Sequence, residues 1–136
     1  MHIDVINPML VNQVWGEYVA PYLEKAISRT GYQTTPHQLW KDCFNGTRNL
    51  LFFVDETGPK VAVICTIEDW EGEPAVYVNC TCGGSTELWN ELMPLFKEWA
   101  KMHGAKRVVL SGPKDVYSRV FKEAKKMFTT YKLEIE

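Results

Sequence analysis

The 136-residue sequence has no long apolar run, no surplus of one charge sign, no CxxC pair and no internal repeat. Each absence removes a class of function. No run approaches the roughly 18 apolar residues that a membrane-spanning helix needs, so no membrane partner is expected. Fifteen Lys and Arg against seventeen Asp and Glu leave a formal net charge of −2. A sequence-independent nucleic-acid binder carries a basic surplus, so no nucleic-acid partner is expected either. The segment MHIDVINPML lacks a basic stretch followed by a long apolar core, so it does not read as a secretory leader and the cytoplasm is the expected compartment. GxSxG, Walker and HExxH motifs do not occur, which removes the catalytic chemistries tied to them.

The few potential metal ligands are also badly spaced. Cys43, Cys65, Cys80 and Cys82 lie on or beside apolar stretches. Cys80 and Cys82 share a strand face, a loose likeness to half a zinc site, but His2, His37 and His103 are scattered and no further thiols complete a tetrahedral set. No metal is expected, and the thiols read as reduced core residues.

What is present is a well-patterned α/β chain. Hydrophobic residues make up 46% and charged residues 24%, the mix of an ordinary globular domain. One domain of this length buries a core without disulfides or metal. Met1–Val5 alternates weakly, and Asn7-Pro8 reads as a turn. Val14, Trp15, Tyr18, Val19, Tyr22, Leu23, Ala26 and Ile27 draw one apolar helical stripe, with Pro21 expected to kink or split it. Thr35-Pro36 opens a second helix that stops near Asn45-Gly46. Three strands follow, Asn49–Asp55, Lys60–Asp69 and Ala75–Cys82, joined by the hairpin signals ETGP and WEGEP. The middle one, KVAVICTIED, is apolar on both faces and so central. A long helix Thr86–His103 is interrupted by Pro94. Then come a strand Arg107–Ser111, a helix from about Lys114 to Lys126 and a last strand Thr129–Glu136. The two-residue link after Gly104 suits a parallel crossover. Six or seven strands, mostly antiparallel, with four helices on both faces, are expected.

The order (β)ααβββαβαβ resembles the GNAT superfamily of N-acetyltransferases over nearly the whole chain. The residues that carry the resemblance are VWGEYVAPYLEKAI at Val14–Ile27, NLLFFVDETGPKVAVICTIE at Asn49–Glu68 and CGGSTELWNELMPLFKEWAKMHGAKRVVLSGP at Cys82–Pro113. Among GNAT-like proteins it is most similar to small ones of tailed phages, including those grouped with internal virion and assembly proteins of short-tailed phages. The resemblance implies an acetyl-CoA site. Its pyrophosphate would sit on Gly83, Gly84, Ser85 and Thr86 at the mouth of the long helix, where free N–H groups and the helix dipole attract anions. Its pantetheine amides would pair with the backbone of Tyr77–Cys82, which includes Asn79 and Cys80. It further implies a base, for which Glu68 and Asp69 are the candidates, and an acid, for which Tyr117 is the candidate.

Other readings of these residues stay open. Gly83-Gly84 also suits a strand-to-helix corner needing positive φ, capped by Ser85 or Thr86. Glu68 and Asp69 also suit a solvated hairpin edge, and Tyr117 a packing role. The superfamily's loop is longer and carries an Arg or Gln, absent here. Glu87 and Glu91 place carboxylates in the first turns of the helix, and no Lys or Arg occurs between Lys60 and Lys97. Trp40, in a short polar helix, and Trp70, in the charged turn EDWEGEP, lack an obvious buried role and read as interface residues, with Trp70 folded back over its own sheet as the alternative. Two functions follow as expectations. The first is a phage GNAT-like protein without catalysis and without cofactor, acting by contact with a phage or host protein in virion assembly or host takeover, in the host-cell cytoplasm or the virion. The second is an acetyl-CoA-dependent N-acetyltransferase acting on a small-molecule or protein amine.

Overall fold

The computed structural model describes residues 1–30 and 34–110. Five strands, β1 (His2–Val5), β2 (Asn49–Asp55), β3 (Gly58–Trp70), β4 (Glu73–Cys82) and β5 (Arg107–Leu110), form one sheet in chain order. The first four are antiparallel neighbours, and β5 runs parallel to β4. Four helices, α1 (Val11–Tyr18), α2 (Leu23–Thr30), α3 (Pro36–Asn45) and α4 (Thr86–Met102), accompany it. Sequence patterning led to an expectation of six or seven strands; the described residues hold five. The helix from Lys114, the strand Thr129–Glu136 and Tyr117 lie outside the described residues.

Alternation along β2 and β3 divides the core into two layers, because successive strand residues face opposite sides. Leu50, Phe52, Ala62 and Ile64 pack with Val11, Val19, Leu23 and Leu39 of the α1–α3 layer. Leu51, Phe53, Val61 and Val63 pack with Leu92, Phe96 and Trp99 of α4. A strand buried on both sides cannot show polar alternation, which is why KVAVICTIED reads as central. Phe53 lies edge-on to Phe96, with ring centroids 5.8 Å apart, and both are fully buried.

Local chemistry sets the boundaries. Pro21 splits the first apolar stripe into α1 and α2 through a 3-10 turn at Ala20–Tyr22. Thr35 Oγ1 accepts from the Gln38 amide at 3.1 Å, and Pro36 occupies the first turn of α3. Gly46 closes α3 in the left-handed region at φ 80. Just inside that end, the Asp42 carboxylate takes Arg48 Nε at 2.8 Å and Gln38 Nε2 at 2.9 Å. The hydrogen bond from Arg48 holds the Asp42 pKa below its ordinary value of 3.8. Pro94 falls inside α4 at an exposed position, so the missing N–H and the ring crowding fall on the solvent side.

Two outcomes test this core. Phe96→Ala is expected to lower the stability by about 3–5 kcal/mol, seen as a lower urea midpoint at unchanged slope. Asp42 has a depressed folded-state pKa, so its stabilisation is present above the unfolded value and is lost as pH falls through the folded value. The Tm difference between the parent and Asp42→Asn is therefore expected to be largest above pH 5 and to shrink as pH is lowered through 4 and below.

Candidate functional site

The site is built around the second half of β4. Cys65 pairs with Val78 and Ile64 with Cys80, so Asn79 is the extra residue of a β-bulge. The bulge reverses the faces of the strand. Val76 and Val78 belong to the α4 layer, whereas Cys80 and Cys82 belong to the α1–α3 layer. On its other edge β4 pairs with β5 from Ala75↔Arg107 to Val78↔Leu110. Among the described residues, Asn79–Cys82 have no partner on that edge. Asn79 is buried, and neither its Nδ2 nor its Oδ1 has a hydrogen-bond partner. Buried amides in native proteins are nearly always paired.

Past Cys82 the chain turns through Gly83 and Gly84, at φ 88 and 89. Both must be glycine for space as well as for φ. A Cβ on Gly83 would lie 3.0 Å from the Lys60 carbonyl oxygen. One on Gly84 would lie 2.9 Å from Trp89 Nε1 and 3.0 Å from Val61 Cγ2. Ser85 then caps α4, its Oγ accepting from the Leu88 amide at 3.2 Å, and Thr86 begins the helix. The remaining first-turn amides have no acceptor within the helix. Ser85 is thus the cap of a strand-to-helix corner at positive φ.

Pairing of β3 with β4 brings Lys60 to the turn, 23 positions upstream of Gly83 in sequence. Lys60, Pro59, Val61, Tyr18, Tyr22, Phe52, Cys82, Gly83 and Gly84 line one cleft of about 260 Å³. The Lys60 ammonium is 3.9 Å from the Asp55 carboxylate and part-exposed. Sequence inspection missed this cation because it looked along the chain rather than across a hairpin. Trp89 was also missed as a wall of the turn; its place on the α4 stripe read as core. Asn79 carried a legible signal, a lone amide in the apolar run VYVNC.

The other predicted residues lie elsewhere. Glu68 pairs opposite Ala75 and Asp69 opposite Pro74, so both sit about 13 Å or more along the sheet from Asn79. Both are exposed. The Glu68 carboxylate accepts from Thr66 Oγ1 at 2.8 Å and from Trp70 Nε1 at 3.3 Å. Trp70 is half-buried and stacks on Tyr77 at 5.5 Å, the rings 7° from parallel. Arg107 ties the same hairpin through Glu71 at 2.7 Å and Glu73 at 2.8 Å. Trp40, half-buried, donates to Asn12 Oδ1 at 2.8 Å and stacks on Phe44 at 5.4 Å. All four thiols are buried and free. Burial pushes those of Cys43 and Cys65 up to about 12, and the hydrogen bond with Cys82, with burial, raises that of Cys80. These three are inert thiols, whereas the hydrogen bond with Cys80 lowers the pKa of Cys82, which lines the cleft. Among the described residues no three His, Cys, Asp or Glu are grouped to hold a metal, and no helix is long and apolar enough to cross a membrane.

The residues present fit an elongated acyl-CoA. A glycine turn and capped helix mouth offer amides to a pyrophosphate, Lys60 stands beside them, and the unpartnered Asn79 amide lies further along the same strand. The exposed Glu87 carboxylate in the first turn of α4 and the Asp55 carboxylate 3.9 Å from the Lys60 ammonium oppose an anion there.

No protein-family model and no curated protein matches the chain by sequence. Solved structures do match by shape. A GNAT family acetyltransferase of Staphylococcus aureus subsp. aureus USA300_TCH1516 superposes with TM-score 0.65 at 12% identity, over 99% of this chain and 100% of that one. A ribosomal-protein-alanine N-acetyltransferase of Brucella melitensis biovar Abortus 2308 gives 0.62 at 14%, over 99% and 100%. An aminoglycoside acetyltransferase from an uncultured soil metagenomic sample, in complex with sisomicin, gives 0.64 at 10%, over 98% and 95%. The chain has a GNAT-like fold.

The turn is tested by substitution. Gly84→Ala is expected to destabilise by about 1–3 kcal/mol, through positive φ and the clash with Trp89. In a thermal-unfolding cycle, Trp89→Ala in the same chain should make the Gly84→Ala loss smaller than it is alone.

Proposed function

We propose that this chain is an acyl-CoA-dependent N-acyltransferase. The observation that carries the reading is the continuity of β4: an unpartnered buried amide at a bulge, a free strand edge among the described residues, then a glycine turn into a capped helix mouth. In this reading the backbone of Asn79, Cys80 and Cys82 aligns the pantetheine arm and the turn Gly83–Thr86 with Lys60 holds the pyrophosphate, whereas Tyr77 is already paired with Val109 of β5. The bound acyl-CoA supplies an activated thioester: an acceptor amine bonds to its carbonyl carbon, the carbon–sulfur bond breaks, and the sulfur leaves with the proton the nitrogen loses. Glu68 and Asp69 lie too far along the sheet to reach that nitrogen directly or through one water, so a base role for either would need a relay of several waters. Tyr117 is the acid in this scheme.

A second reading is favoured by Glu87 at the helix mouth and by exposed apolar side chains Met9, Leu10 and Phe44 beside Trp40, where the turn Pro8–Leu10 packs on α3. It is a phage-type GNAT-like protein acting by contact with a phage or host protein, with Trp40 and Trp70 at the contact, in the host cytoplasm or a particle.

Calorimetric titration with acetyl-CoA separates the two. The transferase reading expects saturable binding, weakened several-fold by Lys60→Ala. It also expects binding to be strengthened roughly two- to fivefold by Glu87→Gln, since a carboxylate in the first turn competes for the dipole. Absence of binding at millimolar ligand would remove the transferase reading and leave the contact reading, for which a pull-down with Trp40→Ala and Trp70→Ala chains is the check.

A further inference from the structure

We propose that the outer edge of β1 joins this chain to a second copy of itself, the two strands pairing antiparallel about Ile3. The proposal is independent of both functional readings above and stands under either.

Strand β1 ends the sheet, and among the described residues nothing pairs with its outer side. An open edge is a template for another strand, and proteins blunt such edges with proline, lysine or a covering element. Residues 1–5 contain no proline and no lysine. Register fixes which backbone groups face outward. The Ile6 N–H donates to the Leu50 carbonyl at 2.9 Å, and facing residues of an antiparallel ladder alternate between bonded and non-bonded pairs. Asp4 and His2, opposite Phe52 and Val54, therefore aim their backbone groups at β2. Ile3 and Val5, with Met1 by the same alternation, aim theirs away from the sheet.

That outward row is self-complementary about a two-fold axis. With Ile3 opposite the second copy's Ile3, the two residues exchange both backbone hydrogen bonds. Val5 then bonds the second copy's Met1 in the same way. His2 falls opposite the second copy's Asp4, at a non-bonded pair, where facing side chains stand closest. Within one chain His2 Nε2 lies 3.2 Å from Asp4 Oδ1, and both side chains are exposed. Across the axis imidazoles and carboxylates thus alternate, each beside the opposite kind. On the other face the half-exposed Val5 and Met1 cover one another next to Ile3. Sliding one strand by two residues, the smallest step that keeps the bonding pattern, sets Asp4 against Asp4 or His2 against His2. So short an edge falls below the roughly 1,200 Å² of a stable interface, and the dimer is weak.

Sedimentation equilibrium from about 10 μM to about 1 mM is expected to show a reversible dimer. Val5→Pro removes an outward N–H and none from the β1–β2 ladder, so it is expected to weaken the dimer about tenfold with the fold intact. Two further chains test the register. His2→Asp and Asp4→His each set like groups opposite one another in a homodimer, and each is expected to weaken it about tenfold. An equimolar mixture of those two chains returns an imidazole opposite every carboxylate across the axis, although neither chain regains its internal pair. Association is expected to recover in the mixture. A chain that stays monomeric throughout overturns the proposal. So does a dimer that the variants leave unchanged or that the mixture fails to restore, because a different surface then joins the copies.

Discussion

Strand β4 serves two neighbours with different hydrogen-bond patterns. Against β3 it forms an antiparallel ladder along its whole length, and against β5 a parallel one over Ala75–Val78. Antiparallel bonds come in alternating close and wide pairs, whereas parallel bonds are even and slanted. The bulge at Asn79 falls next to the last described parallel rung. One extra residue there bends the strand and increases its twist, and it carries the following residues onto the opposite layer of the core. The layer assignment of Cys80 and Cys82, the direction in which the glycine turn departs and the placing of α4 all follow from that insertion.

The turn then has little freedom. The backbone of Lys60 and the side chain of Val61 press on it from β3, and Trp89 from α4. Only glycine meets those distances and the left-handed φ together. The same crowding brings Lys60 to the cleft beside Gly83, where its ammonium is 3.9 Å from the Asp55 carboxylate, a part-exposed pair of opposite charges that largely offset one another.

Much of this was legible in the sequence. Asn49–Asp55 was read to the residue, and the split at Pro21, the Thr35 cap and the Gly46 stop each follow from a single residue whose φ or side-chain chemistry has few alternatives. The glycine pair and the Ser85 cap were legible for the same reason. The bulge was not, because an inserted residue leaves a run such as YVNCTC looking like an unbroken strand, and an apolar strand buried on both sides carries no alternation to break. Lys60 escaped because its nearness to Gly83 is a property of register. Trp70 and Trp40 were read as interface residues for want of partners nearby in sequence; Trp40 bonds Asn12 across 28 positions, and Trp70 stacks on Tyr77, contacts that only the fold creates.

The two functional readings place different demands on the middle of the sheet. A domain that works by surface contact needs only that its interior be packed and its polar groups paired, and every departure from that weakens it without return. Here the interior is packed by that rule through both layers, with aromatic contacts such as Phe53 on Phe96 and with four thiols behaving as small apolar groups. The departures among the described residues are the side chains of Thr34, Asn79 and Trp99, of which Asn79 leaves both a donor and an acceptor unpaired, at the residue where the sheet is bulged and beside the last described rung to β5. Local breaks with packing and pairing rules gather at sites that bind something. Under the transferase proposal the bulged strand beside the last described rung to β5 is where such a break would have a use; under the contact proposal it would have none.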